Sequence, residues 1–371
     1  MDIHEYEVGL HWRELDTPAL LVNLSVVERN IQRMADYCRE ARVNLRPHAK
    51  IYKATPVFAW MQLRAGAIGI TASKLSEAEV LASAGIRDIL IANQVVGERK
   101  VRRLVNLAAH TDVIVAVDSY DNALAISQAA QAVGVRVGVL AEVNIGNNRC
   151  GVEPLETTLK FVQGLLPLPG VRFRGLMGYD GHLAFVEALE ERYGRSREAY
   201  QLLVKTRDCL VAAGIAVEIV SGGGTNTYKS ASSVAGMTEL QLGTYIFNDT
   251  TYRDLGLREF DCALTLLSTV VSRPDRAGAE NVAILDIGRK GVSTVYGLPE
   301  MKQPAGTIFS MPQEHSRLQL EADGAGLKAG DVVELWVKDA NGTVNLYDHL
   351  YAMRGERVEA VWDLPGRGKT T

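Results

Sequence analysis

Paired cysteines, long apolar runs, clustered histidines and an excess of positive charge are all missing from this sequence. Its four cysteines, Cys38, Cys150, Cys209 and Cys262, lie far apart without CxxC spacing. That excludes a disulfide frame and a zinc ribbon, and reads as free thiols of a cytoplasmic chain. The seven histidines are equally dispersed, with no HExxH pair to hold a metal. No apolar run approaches the ~18 residues of a membrane span. The opening segment MDIHEYEVGLHWREL is charged and lacks the apolar core of a signal peptide, so neither a membrane nor secretion is expected. A net charge of −4 removes the electrostatic case for a nucleic-acid partner. What remains is a chain of 371 residues, 47% hydrophobic and 23% charged, long enough for a large barrel with an appendage.

The middle of the chain alternates between two patterns. Apolar, β-branched runs occur at VNLRPH, AIGITA, DILIANQV, DVIVAVD, VGVLAEVNIG, FRGLMGY, EIVSGGG and ELQLGTYIF. Between them lie segments of helical spacing such as KLSEAEVLASAG and REAYQLLVKTRDCLVAAG, several ending in the glycine that favours a helix C-cap. Near-continuous apolar strands, each followed by a helix, indicate a parallel sheet covered on its faces. Eight such units between about residues 43 and 255 predict a (β/α)₈ TIM barrel, with an open doubly wound sheet as the rival. Beyond about residue 260 the helical spacing stops. Short strand-like runs (ALTLLSTVV, NVAILDIG, DVVELWVKD, TVNLYDHLYAM, RVEAVWDL) alternate with turn signals at RPDRAG, EADGAG and DANG. The expected organisation is a barrel over 18–255 and an all-β domain over 256–371, joined by part of 1–17.

Barrel enzymes work at the C-terminal ends of their strands. The first strand ends in RPHAKIYK, where alternation puts Arg46, His48 and Lys50 on one face, with Lys53 beyond the strand. A lysine in a partly buried mouth beside Arg46 has its ammonium disfavoured by desolvation and like charge, which suits it to forming a Schiff base. The same residues read equally as a solvated cationic strand end. After the seventh strand, SGGGTNT allows backbone amides to approach an anion. After the eighth, the Gly243 and Thr244 amides and the Tyr245 hydroxyl add donors. A Schiff-base lysine opposite a phosphate cradle points to pyridoxal 5′-phosphate.

The ordered series LDTPALLVNLSVVERNI, LRPHAKIYK, KLSEAEVLASAGIRDILIANQVVG, EVNIGNNRCGV, GYDGH, SGGGTNT, TELQLGTYIFND and TVNLYD resembles the D-threonine aldolase / D-serine dehydratase family. The resemblance implies a fold-type III pyridoxal phosphate enzyme: an alanine-racemase-like barrel, a D-serine dehydratase-like β domain and a homodimer. It places the cofactor on Lys50, on the same strand end as His48. It puts Gly223, Gly224, Thr225, Gly243 and Thr244 around the phosphate, with Arg149 and Tyr179 close by. His182 is a candidate acid or base.

Two departures stand out. Tyr52 occupies the position where the family's lysine motif carries histidine. In the family a divalent metal is held by His and Asp or Cys, and here the aligned DANGTVNLYD offers Asp339 and Asn341, with Gly342 for proline. Three readings stay open: a hard cation on Asp339 and Asn341, an Asn-Gly hairpin turn with the metal lost, or a metal elsewhere. Without a metal, deprotonating a substrate hydroxyl needs a base, and His182, Tyr52, His315 and Asp339 are the candidates. The implied activity is a lyase acting on small D-3-hydroxy amino acids, by retro-aldol cleavage or dehydration. The alternatives are a metal-independent amino acid racemase or epimerase, with Tyr52 or His182 as second base, and a non-catalytic pyridoxal phosphate-binding protein.

Overall fold

Short apolar runs flanked by helix-forming segments become parallel strands in the computed structural model, which describes residues 5–321 and 326–371. Strand β1 (Ala19–Asn23) and helix α1 (Leu24–Glu40) come first. Eight parallel strands follow: β2 (Asn44–Leu45), β3 (Ile70–Ala72), β4 (Asp88–Ile91), β5 (Asp112–Val117), β6 (Val137–Glu142), β7 (Val171–Gly178), β8 (Ile219–Gly222) and β9 (Glu239–Leu240). They lie in the order β2-β9-β8-β7-β6-β5-β4-β3. The two ends of that order meet. Ile68 N–H donates to Leu45 O at 2.9 Å, Thr71 N–H donates to Pro47 O at 2.8 Å, and His48 bridges Thr71 in parallel. The sheet therefore closes into a barrel, and the open doubly wound alternative is removed.

Helices α2 (Pro56–Arg64), α3 (Leu75–Ser83), α4 (Glu98–Ala108), α5 (Tyr120–Ala132), α6 (Glu156–Leu165), α7 (Leu189–Ala212) and α8 (Tyr228–Ser232) connect these strands. In α4, Val101, Leu104 and Val105 are the buried residues, one stripe at helical spacing beneath an arginine-rich outer face. Leu90, Ile114, Ala116, Leu140, Met177 and Ile219, drawn from five neighbouring strands, pack as one buried cluster. Burying such side chains removes their apolar surface from water at about 25 cal/mol per Å².

The second unit is a largely antiparallel sheet in the order β13-β14-β11-β10-β1-β16-β17, with β15 on β10 and β12 on β15. Its strands are β10 (Leu264–Ser272), β11 (Val282–Leu285), β12 (Glu300–Gln303), β13 (Gly306–Ser310), β14 (Ser316–Leu320), β15 (Val332–Trp336), β16 (His349–Arg354) and β17 (Arg357–Asp363). Trp12, Leu15, Leu21, Leu267, Tyr351 and Met353 share one buried cluster there. By contacts, the barrel unit comprises 31–50, 54–243 and 369–371, and the β unit holds the rest of the described chain up to 368.

Three sequence expectations need correction or completion. Strand β1 lies inside the stretch assigned to the barrel, yet it pairs antiparallel with β10 and parallel with β16. Strands β12, β13 and β14 were not anticipated. The DANG segment is not a hairpin: Asp339 caps helix α10 (Ala340–Val344), which follows α9 (Thr250–Asp254) in chain order. Most of the EADGAG turn lies outside the described residues. Among the described residues, no helix is long and apolar enough to cross a membrane.

Candidate active site

The chain leaves β2 through Arg46, Pro47 and His48 and tightens into a 3₁₀ turn, Ala49–Tyr52, that carries Lys50. The Lys50 ammonium nitrogen lies 5.8 Å from the centroid of the Tyr179 ring, and the Arg149 guanidinium lies 5.8 Å from the same centroid. Desolvation pushes the Lys50 pKa down, Arg149 pushes it further, and Glu77 opposes them. The like charge on Lys50 is Arg149 and not the Arg46 expected from the sequence. Arg46 is 3% exposed, donates to Glu239 through Nε at 3.1 Å and pairs with Asp88 at the start of β4. Its charge is neutralised inside the barrel, leaving Arg149 to act on Lys50.

The glycine-rich turn after β8 abuts the same ring. A Cβ placed on Gly224 would lie 3.7 Å from Tyr179 Cε2 and 3.8 Å from Asp180 Oδ1. Gly223 adopts φ +92, open to glycine with little strain, and a Cβ there would meet Leu240 at 3.1 Å. Its N–H donates to Tyr200 Oη at 2.7 Å, and that hydroxyl donates to Asp180 Oδ1 at 2.8 Å. Ser196 Oγ donates to the other Asp180 oxygen at 2.7 Å. The turn is thus held from beneath by α7. Gly243 lies against the His48 backbone, where an added Cβ would stand 3.1 Å from the carbonyl oxygen.

Within this turn the Thr225 hydroxyl is buried and has no hydrogen-bond partner among the described residues. A buried, unpaired hydroxyl is costly unless something meets it. A phosphate oxygen would do so, and the lowered Lys50 amine matches an aldehyde. These residues fit pyridoxal phosphate: Thr225, Gly224 and Gly243 are the donors its phosphate would meet, and Lys50 the amine its aldehyde would join.

His182 sits in the 3₁₀ turn Gly181–Leu183 after β7, exposed, with its ring 3.1 Å from where a Gly146 Cβ would be. Desolvation lowers its pKa below 6.5, Arg195 adds to that and Asp180 opposes it. Glu142 ends β6, accepts from the Gln94 amide and has its pKa raised chiefly by burial. Lys50, His48, Arg149, Tyr179, His182, Gly223, Gly224, Thr225 and Gly243 all fall in the barrel unit. Tyr52, Thr244, Tyr245, His315, Asp339 and Asn341 fall in the β unit. Tyr52 and Tyr245 are fully buried, the latter beside Phe260 with ring centroids 5.7 Å apart. His315 is exposed in the turn before β14.

Sequence reasoning missed Asp180, Ser196, Tyr200 and Glu142. Asp180 stands inside GYDGH, and Ser196 and Tyr200 are four apart on one helix face. Nothing in that spacing separates them from an ordinary polar helix surface.

At the position where the resemblance implied a metal, Asp339 caps α10 by accepting from Gly342 N–H at 2.9 Å through Oδ1. Its Oδ2 accepts from Ser293 Oγ at 2.6 Å. Asn341 Oδ1 accepts from the Lys53 ammonium at 2.8 Å. Asp249 accepts from Ala340 N–H at 3.1 Å and Tyr252 N–H at 3.0 Å. Its pKa is pushed up to about 7, first by burial, with Asp339 adding to the rise. Both carboxylates are committed to backbone and hydroxyl donors, and a cation already stands on Asn341. Among the described residues no three His, Cys, Asp or Glu side chains are gathered to hold a metal. This donor set does not fit a divalent ion.

The family model for the alanine racemase N-terminal domain matches residues 22–251, and one for a serine dehydratase-type domain matches residues 263–353. The D-threonine aldolase of an Arthrobacter species is 36% identical over 361 residues, covering 95% of this chain and 93% of that protein. The 3-hydroxy-D-aspartate aldolase of Paracoccus denitrificans (strain Pd 1222) is 31% identical over 385 residues, covering 99% of this chain and 98% of its own length. The crystal structure of D-threonine aldolase from Filomicrobium marinum superposes with a TM-score of 0.93 at 34% identity, covering 98% of each chain.

Proposed function

This chain belongs to the D-threonine aldolase / D-serine dehydratase family with its alanine-racemase-type barrel, and from that premise we propose a pyridoxal phosphate-dependent lyase that splits D-3-hydroxy amino acids between Cα and Cβ. The observation that carries the reading is the Lys50 amine, held toward neutrality by burial and Arg149, on a barrel mouth that also presents the unpaired Thr225 hydroxyl. The Arthrobacter, Paracoccus and Filomicrobium proteins are all named as aldolases, which favours cleavage over dehydration.

Pyridoxal phosphate held at Lys50 supplies an electron sink for negative charge at the substrate Cα. The chain's own groups do the rest. Tyr179 offers a ring face at the mouth, and Arg149 places positive charge over it. His182, neutral above its lowered pKa, takes the proton from the substrate β-hydroxyl. As that oxygen becomes the carbonyl of the departing aldehyde, the Cα–Cβ electron pair passes to Cα. A proton that the Lys50 amine takes up from the substrate ammonium is then delivered to Cα, and His182 gives its proton up to solvent, so that D-threonine yields acetaldehyde and glycine. No step is assigned to a metal, because the Asp339–Asn341 donors do not fit one.

The test is product analysis with D-threonine, L-threonine, D-serine and both alanine enantiomers. Acetaldehyde with equimolar glycine from D-threonine alone supports cleavage. 2-Oxobutanoate in their place shows dehydration, and exchange of the alanine enantiomers shows a racemase. Lys50→Ala is expected to lose both the near-visible absorbance band and turnover. A cytoplasmic homodimer belongs to the same reading on the family resemblance, and an active monomer in sedimentation removes it.

A further inference from the structure

We infer that the Asp339–Asn341 position is a closed, metal-free polar cluster in which the Lys53 ammonium is the resident cation. The family reading selects the position; the chemistry rests on this chain's own contacts.

A divalent ion at this position needs lone pairs from Asp339 and Asn341 aimed at one point, with no competing positive charge. Asp339 spends Oδ1 on the Gly342 amide and Oδ2 on the Ser293 hydroxyl. Drawing that carboxylate onto an ion would uncap α10, whose first amide, Ala340 N–H, already depends on Asp249. Asn341 contributes a neutral carbonyl oxygen, and the Lys53 ammonium lies 2.8 Å from it. An ammonium has three donors and no acceptor, so it bonds a ligand oxygen as a metal does yet repels a dication. Lys53 is 9% exposed and is held at φ +51, its carbonyl accepting from Gly366 N–H at 2.9 Å. The backbone that delivers the ammonium is therefore itself fixed. Ser293 N–H donates to Thr343 Oγ1 at 3.2 Å, closing the cluster from the side of the loop before β12. Positive charge that relatives of another donor set would take from an ion is here built into the chain.

The experiment uses the full-length, cofactor-loaded protein. After dialysis against EDTA and then chelator-free buffer, divalent metal is counted by plasma mass spectrometry. Mn²⁺ is then titrated while the free-ion signal is followed by electron paramagnetic resonance. The expected result is substoichiometric metal, no stoichiometric loss of free Mn²⁺ signal into the millimolar range, and an unfolding temperature unmoved by EDTA. One equivalent of Mn²⁺ bound by the wild type and lost in Asn341→Ala overturns the inference.

The double variant Lys53→Met/Asn341→Asp, checked for folding by circular dichroism, is expected to gain Mn²⁺ binding. A folded double variant that still takes none shows that Lys53 was not what kept the ion out, and overturns its role. Should the variant not fold, the wild-type titration decides alone. A protein that released no aldehyde would sink the lyase reading while leaving every one of these metal counts in force.

Discussion

Two side chains at the barrel mouth carry sharp, separable predictions. His182 is exposed and has its pKa lowered below 6.5, so the neutral imidazole is the form present at neutral pH. If it takes the β-hydroxyl proton, kcat/KM for D-threonine should fall in acid through a pKa below 6.5 and stay flat above it. His182→Asn should lose that acid limb and drop kcat by about 10²- to 10⁴-fold with little change in KM. An unchanged pH profile in the variant removes His182 from the chemistry. Thr225 is tested differently. Its hydroxyl has no partner among the described residues, so Thr225→Val should leave the fold intact. The cofactor dissociation constant should rise roughly 10- to 100-fold if that hydroxyl meets a phosphate oxygen. Lys50 was legible because RPHAKIYK is a recognisable pattern at a strand end. The charge that acts on it was not, since Arg46 and Arg149 can be told apart only by what each one touches.

The strands and helices of the barrel were legible for a plain reason. A fully buried parallel strand must be apolar almost throughout, as in DVIVAV, and its covering helix must carry one apolar stripe. Where burial is partial the signal fades: EMKQ in β12 has no buried residue, and nothing in its letters announces a strand. The DANG segment failed for another reason. Asn-Gly favours a hairpin turn only when the backbone is free to take positive φ, and here Asp339 and Asp249 cap a helix start instead. One element has a sequence feature whose purpose is visible only in three dimensions. Gly175 sits at the register shift between β6 and β7 with φ +153, and a Cβ on it would overlap the Ile219 carbonyl in β8. Gly175→Ala should therefore cost at least about 2 kcal/mol, read as a lower urea midpoint with an unchanged slope.

Closing eight strands into a ring is a property of the unit as a whole, and Arg46 is its internal strut. It joins β2 to Glu239 at the start of β9 and to Asp88 at the start of β4, and Ser221 on β8 donates to the same Glu239 at 2.7 Å. Glu239→Ala should destabilise by about 3 kcal/mol, because a buried guanidinium loses a partner. Arg46→Met combined with Glu239→Leu should recover part of that loss, since the buried guanidinium and its buried partner go together and only the half-exposed Asp88 carboxylate loses a contact. If the double variant is no more stable than the single one, the strut account fails.

By itself the sequence determined the alternation of strand and helix, the switch to an all-β second half, the lysine and the glycine turn, because burial and spacing leave period and composition behind in the letters. Only the tertiary structure decided that Arg46 is spent inside the barrel, that β1 pairs in the other sheet, that α7 holds the glycine turn through Tyr200 and Asp180, and that Lys53 stands on Asn341. Those outcomes depend on which distant side chains converge, and convergence between residues far apart along the chain leaves no local pattern to read.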